Sequence, residues 1–143
     1  MKSYTIHPIA LCEGPRPIPH FAYRSEVSGT GNTACYTWYI EGPGPKILVD
    51  AGADALTFTS KGMPETDIVS IEDSLGKLGL KPEDIEIVIV THLHCDHIGL
   101  AYKYKNAVFI VQQKELECAR NPHPIDSILY DPETFHNLNW QVI

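Results

Sequence analysis

The sequence predicts an α/β fold built on a mixed sheet. Three observations carry that expectation. Residues 34–50 read as a hairpin. Apolar residues at helical spacing over 68–78 lead into a β-branched run at 86–90. A second such run at 107–111 precedes a short helical stretch at 113–120. The chain has 143 residues, 43% of them hydrophobic. That is enough for one compact domain, taken as 1–143, and too little for two ordinary ones.

Residues 3–12 alternate loosely and read as a first strand. A loop rich in Pro and Gly is expected from Glu13 to Gly31, with Phe21 and Tyr23 in it packing on the core. Ala34–Ile40 is rich in aromatic and β-branched residues and reads as a strand. Glu41–Pro45 is a turn, and Lys46–Asp50 returns as the second strand of the hairpin. Residues 54–67 read as an irregular connection. Ile68, Ile71, Leu75 and Leu78 predict a helix that Gly79 stops. The segment Glu86–Val90 is almost continuously apolar and predicts a strand buried on both faces. Asn121 and Pro122 end the helix at 113–120. The remainder has little regular pattern apart from a last strand near Asn139.

Several classes are disfavoured. No stretch approaches the roughly 18 consecutive apolar residues of a membrane span, and the N-terminus lacks the apolar core of a secretory signal. The cysteines at 12, 35, 95 and 118 show no C-x-x-C spacing and read as free thiols of a reducing cytoplasm. A net charge of −7 makes nucleic acid a poor partner, because phosphate binding needs a basic face.

The chemistry concentrates in Val88-Ile89-Val90-Thr91-His92-Leu93-His94-Cys95-Asp96-His97-Ile98-Gly99. Three histidines and an aspartate follow directly on a strand, and strand ends in open α/β sheets are where sites are built. Imidazole nitrogen suits zinc, and carboxylate oxygen suits zinc, iron or manganese. His92 and His94 are two apart, so in extended backbone they point to one side and can reach one metal. Asp96 and His97 follow as the chain turns, where they can face a second.

The run His92-Leu93-His94-Cys95-Asp96-His97 resembles the H-x-H-x-D-H signature of the metallo-β-lactamase superfamily. Ile47-Leu48-Val49-Asp50-Ala51-Gly52 resembles that family's strand ending in Asp-x-Gly, and Asn32 with Tyr36–Ile40 resembles the strand before it. Within the superfamily the chain is most similar to the N-acyl-homoserine lactonases. The long lead before Asn32, the long connection after Asp50 and the Thr-His-Leu-His-x-Asp-His-Ile-Gly wording carry that likeness. The resemblance implies the αββα sandwich fold and two zinc ions, or iron or manganese. His92 and His94 would hold the first metal, and Asp96 and His97 the second. Asp50 would support the site from behind the ligands. It also implies a metal-bound hydroxide that opens a lactone ring, with Asp96 holding the attacking group and carrying its proton to the leaving oxygen. The alternatives are a thioester hydrolase of the glyoxalase II kind and a non-catalytic half-domain that needs a partner chain.

Members of that family run to roughly twice this length, because the fold is two βα halves packed sheet to sheet. The second half contributes a further His, a bridging Asp and a last His. His123 and His136 lack the family's Thr-Pro-Gly-His context, and Asp126 and Asp131 lie in Pro-rich sequence. The expectation is therefore an N-terminal half, completed by a complementary C-terminal half or by a homo-oligomer. Cys95 is expected to point away from the metals. His7 and His20 read as surface or loop residues, Tyr102 and Tyr104 as ordinary packing, and Glu83, Asp84 and Glu86 as a solvated lead into the strand.

Overall fold

The computed structural model describes residues 3–22, 26–63 and 65–143, without the side chains of His20 and Phe21. The readings of His20, Phe21 and Tyr23 lie outside the described residues. The elements in chain order are β1 (Thr5–Pro17), α1 (Ile18–Phe21), β2 (Thr30–Glu41), β3 (Ile47–Val49), α2 (Ala55–Thr59), β4 (Thr66–Asp67) and α3 (Ile71–Gly76). They continue with β5 (Ile87–Ile89), α4 (Cys95–Ile98), β6 (Val108–Val111), α5 (Gln113–Arg120), α6 (Pro132–Phe135) and β7 (Trp140–Val142). The strands form one sheet in the order β4-β1-β2-β3-β5-β6-β7. Pairing is antiparallel from β4 to β3 and parallel from β3 to β7. This is the mixed α/β sheet the sequence predicts.

The expected loop at 13–31 is strand only at its two ends, 13–17 in β1 and 30–31 in β2, with α1 following β1. Pro8, Pro15 and Pro17 stand opposite Trp38, Asn32 and Thr30, which share one phase of β2. In an antiparallel pair every second residue turns its N–H away from its neighbour. Proline at those positions costs no ladder bond to β2, and the described ladder on the outer edge of β1 lies at Cys12 and Glu13, away from the prolines. A bulge between Ala10 and Cys12 keeps the phase consistent. It also turns both Leu11 and Cys12 inward, so buried positions are odd-numbered before it and even-numbered after it.

The connection at 54–67 holds α2 and β4. Asp54 caps α2 by accepting from the Thr57 backbone N–H at 2.9 Å. Five residues with one buried side chain, Phe58, leave no helical period to read. The helix expected over 68–78 is shorter. Ser70 caps it, Ile71 and Leu75 are its buried positions, and Ile68 stays outside. Gly79 adopts φ 73° just past its end, as its stop role requires. The last strand near Asn139 is β7, and the segment before it contains α6.

The core lies on one face of the sheet. Tyr39, Leu48, Val88 and Phe109 point into it and meet Ile71, Leu75, Leu116 and Phe135 from the helices. The opposite face is apolar and open. Trp38, Val49, Ile89 and Ile110 form one cross-strand row, and Ile6, Ile40, Ile47, Ile87 and Val108 form another. Trp38 is 40% exposed and Ile89 36%. The expectation that 86–90 is buried on both faces is therefore corrected. Val88 is fully buried, while Ile89 on the other face has no covering layer among the described residues. No described helix is long and apolar enough to cross a membrane.

The two faces predict different mutational costs. In the 143-residue chain Leu48→Ala should cost about 2–5 kcal/mol, the range for a large-to-small change in a packed core. Ile89→Ala should cost less, about 1 kcal/mol, since Ile89 is 36% exposed and loses less buried apolar area. Urea unfolding of the two variants checks this, and equal losses would contradict the one-sided core.

Candidate metal centre

The site grows from the ends of the parallel strands β3 and β5. Asp50 follows β3 directly and adopts φ 61°, a left-handed conformation that Asp tolerates better than most residues. The bend is held from both sides. Thr37, fully buried, donates its hydroxyl to the Asp50 carbonyl at 2.6 Å, and the Asp50 N–H donates to the Ile89 carbonyl at 2.8 Å. Gly52 has φ 75°, and a Cβ there would run into the Leu11 side chain. Glycine is therefore required on both counts.

This geometry buries the Asp50 carboxylate, which is only 3% exposed, and turns it toward the end of β5. It accepts from the Thr91 N–H at 2.8 Å and from the Thr91 hydroxyl at 2.9–3.0 Å. It also accepts from His97 Nδ1 at 2.7 Å. The backbone closes the same loop, since the N–H groups of Ala51 and Gly52 donate to the His97 carbonyl at 2.7 and 3.2 Å. With Nδ1 engaged, His97 presents Nε2 outward, the arrangement by which a carboxylate fixes a ligating imidazole.

Between β5 and α4 the chain is extended, so His92 and His94 lie side by side with ring centroids 4.6 Å apart. The turn into α4 brings Asp96 and His97 round to meet them. His92 and His97 approach to 3.8 Å between centroids, and His97 Nε2 lies 3.2 Å from Asp96 Oδ2. The ligand atoms of His92, Asp96 and His97 all lie within 4.8 Å of one another. Tetrahedral zinc with legs of about 2.0–2.1 Å spaces its donors roughly 3.3 Å apart. A small inward movement suffices, so this donor set fits a divalent ion. His94 stands at the rim of the trio, its ring 4.7 Å from that of Tyr130.

The electrostatics agree with that use. Burial opposes charge on His97, but the bonds to Asp50 and Asp96 outweigh it and push its pKa up to about 9. Burial, together with the charge on His97 and His94, holds His92 below the ordinary imidazole range. Burial opposes ionisation of Asp96 too, yet the bond from His97 keeps it below the usual carboxylate value. The site thus carries negative charge that a cation can replace the imidazolium proton to neutralise.

Two further residues brace the loop, and sequence reasoning did not identify them. Glu115 on α5 accepts from the Leu93 N–H at 2.8 Å and from the Tyr130 hydroxyl at 3.3 Å. Nothing in the local sequence marks Glu115. Thr91, by contrast, sits directly between the strand and the motif, which is a usable signal. Cys95 is buried and stays out of the donor trio. Tyr104 is buried and donates to the Ala51 carbonyl at 3.1 Å, while Tyr102 is exposed. His7 contacts Glu41 Oε2 at 2.9 Å on the sheet edge. His123 accepts from the Ile125 N–H, His136 bonds the Pro132 carbonyl, and Asp131 caps α6. None of these joins the trio. A cavity of about 650 Å³ opens beside His94 and Asp96, with Phe58, Met63, Ile128 and Leu129 on its apolar walls.

The family model of the metallo-beta-lactamase superfamily matches residues 30–136. The chain belongs to the metallo-beta-lactamase superfamily. It is 38% identical over 117 residues to an N-acyl homoserine lactonase of Bacillus cereus, a match covering 72% of this chain and 43% of the relative. Its fold superposes on a quorum-quenching N-acyl homoserine lactone lactonase with TM-score 0.78 at 24% identity, covering 96% of this chain and 56% of that one. A probable metal-dependent hydrolase from Staphylococcus aureus gives TM-score 0.76 at 21% identity, covering 98% and 58%. The chain spans about half the length of the relatives it matches. The superfamily fold implies divalent metal ions, and the trio is a candidate place for them.

Asp50→Asn keeps the size of the side chain but removes its charge and one acceptor. It should lower zinc affinity by about 10–100-fold, the usual effect of losing a carboxylate behind a ligating histidine. Competition with a chelating dye measures this, and wild-type affinity in the variant would show that Asp50 does not orient His97.

Proposed function

We propose that this chain carries the first half of the active centre of a metal-dependent hydrolase that opens lactone rings, N-acyl-homoserine lactones or related compounds. One observation carries the reading. A buried Asp50 locks His97 beside His92 and Asp96 at the ends of two parallel strands, next to a cavity with apolar side chains on part of its wall. The 38% identity to the Bacillus cereus lactonase favours lactones over other substrates of the superfamily. His92 and His94 are assigned to one ion, and Asp96 and His97 to a second.

When bound, the metals, zinc or else iron or manganese, would lower the pKa of a water and polarise the ring carbonyl. With the metals held by these residues, Asp96 would take up the proton of the attacking water and return it to the ring oxygen as the ring C–O bond breaks, leaving a hydroxy acid. Asp50 and Thr91 keep His97 in one tautomer throughout. The apolar wall beside Asp96 suits the acyl tail of the substrate.

The remaining ligands would come from a second βα half, whether on the same polypeptide or on a partner chain. The open rows of Trp38 and Ile6 are the surface such a layer would cover. A homo-oligomer covering that face is the competing arrangement. The free thiols fit a cytoplasmic protein.

The test is a zinc-dependent assay with a lactone panel and a thioester panel, on the pure 143 residues alone and mixed with a second βα half. Lactone opening should rise at least about tenfold on mixing and vanish in the His92→Ala/His97→Ala double variant. Thioester hydrolysis without lactone opening would replace the substrate class. Full turnover by the 143 residues alone would remove the need for a second half.

A further inference from the structure

Cys12 and Cys35 face each other across β1 and β2 as direct partners in the ladder. The bulge at Leu11 puts them there, because it turns Cys12 inward to the face that already holds Cys35. The proline phase makes theirs a hydrogen-bonded pair, for which Cα atoms stand about 5.5 Å apart, and disulfides span about 4.4–6.8 Å. The pair is unused by the proposed chemistry, yet it touches the site. The Cys35 thiol donates to the backbone carbonyl of Asp96 at 3.0 Å. The Cys12 thiol donates to the Ala53 carbonyl at 3.5 Å.

We propose that Cys12 and Cys35 are an oxidisable pair whose disulfide loosens the metal centre by withdrawing Cys35 from Asp96. Access fixes the order of events. Cys35 lines the cavity beside Asp96, while Cys12 is fully buried. A low-molecular-weight disulfide such as oxidised glutathione therefore meets Cys35 first. The Cys35 sulfur, giving up its proton, attacks one sulfur of the oxidant, and one glutathione thiol leaves with that proton. The Cys12 sulfur then attacks the Cys35 sulfur of the mixed disulfide, and its own proton goes to the second departing thiol. Two protein thiols and one small disulfide become one protein disulfide and two small thiols, with two electrons passed to the oxidant. In the product the Cys35 sulfur is bonded toward β1 and has no proton to donate. The Asp96 carbonyl then loses its partner at the first turn of α4, where Asp96 and His97 are positioned.

The coupling to metal rests on the reading of His92, Asp96 and His97 as ligands, so the experiment reads the two parts separately. A Cys118→Ser background removes the exposed thiol. That protein is treated with oxidised glutathione, and peptide mass mapping locates any disulfide. Zinc affinity by dye competition and hydrogen exchange in the peptide 92–98 are then compared before oxidation, after it, and after dithiothreitol. The expected result is a Cys12–Cys35 linkage and faster exchange in 92–98. Zinc affinity should fall about tenfold or more, and dithiothreitol should reverse all three changes. Cys12→Ser and, should that variant fold poorly, Cys12→Ala should show none of them. No linkage between these two residues, or a linkage that leaves exchange in 92–98 unchanged, overturns the proposal. Absence of zinc binding in both states with altered exchange would instead count against the ligand assignment, while leaving the switch standing.

Discussion

The Asp50 carboxylate is the interaction on which the rest of the site depends. It joins three segments that share no local sequence, namely the end of β3, the end of β5 and the first turn of α4. A carboxylate this buried is strongly unfavourable unless its oxygens are satisfied. Here the Thr91 amide, the Thr91 hydroxyl and His97 Nδ1 satisfy them. The left-handed turn at Asp50 is the local cost, about 1–2 kcal/mol on the general scale. The bond from Thr37 to the Asp50 carbonyl makes that turn the low-energy choice in context. Each element on the list is there to hold another. Thr37 fixes the turn, the turn aims the carboxylate, and the carboxylate fixes the imidazole.

Much of this was legible because the signals are local. The β-branched runs at 86–90 and 107–111 mark β5 and β6 in the parallel part of the sheet, and the hairpin at 34–50 marks β2 and β3. The motif at 92–97 is readable because six consecutive residues contain the donors and follow a strand end. The misses have one physical source, which is dependence on distant partners. Pro15 and Pro17 look like loop residues until the phase of β2 shows that their missing N–H groups are not needed there. Ile89 looks like Val88 until the layers are known. Glu115 is an ordinary helix residue in sequence and a brace for Leu93 only in the fold.

The sheet separates two requirements. Its covered face supplies stability through Leu48, Val88 and Phe109, while its strand ends supply the functional groups. The open face belongs to neither. The donor trio is therefore assembled by bonds that do not cross that face, from Asp50, Thr91 and the backbone of Ala51 and Gly52. The apolar rows around Trp38 can accept a covering layer without reorganising the trio, since the residues that aim the ligands lie on the helix side or at the strand ends.

The compactness of the motif also bears on the denatured chain. His92, Asp96 and His97 fall within six residues, so an unfolded polypeptide keeps all three within reach of one ion. A ligand stabilises a fold only by the difference between its affinities for the folded and unfolded forms. The part of zinc binding that the unfolded chain can imitate contributes nothing to that difference. What it cannot imitate is the bond from His97 to Asp50, which spans 47 positions of sequence. The thermal protection that a metal confers on this domain is therefore set less by the strength of its three donors than by one carboxylate that never touches it.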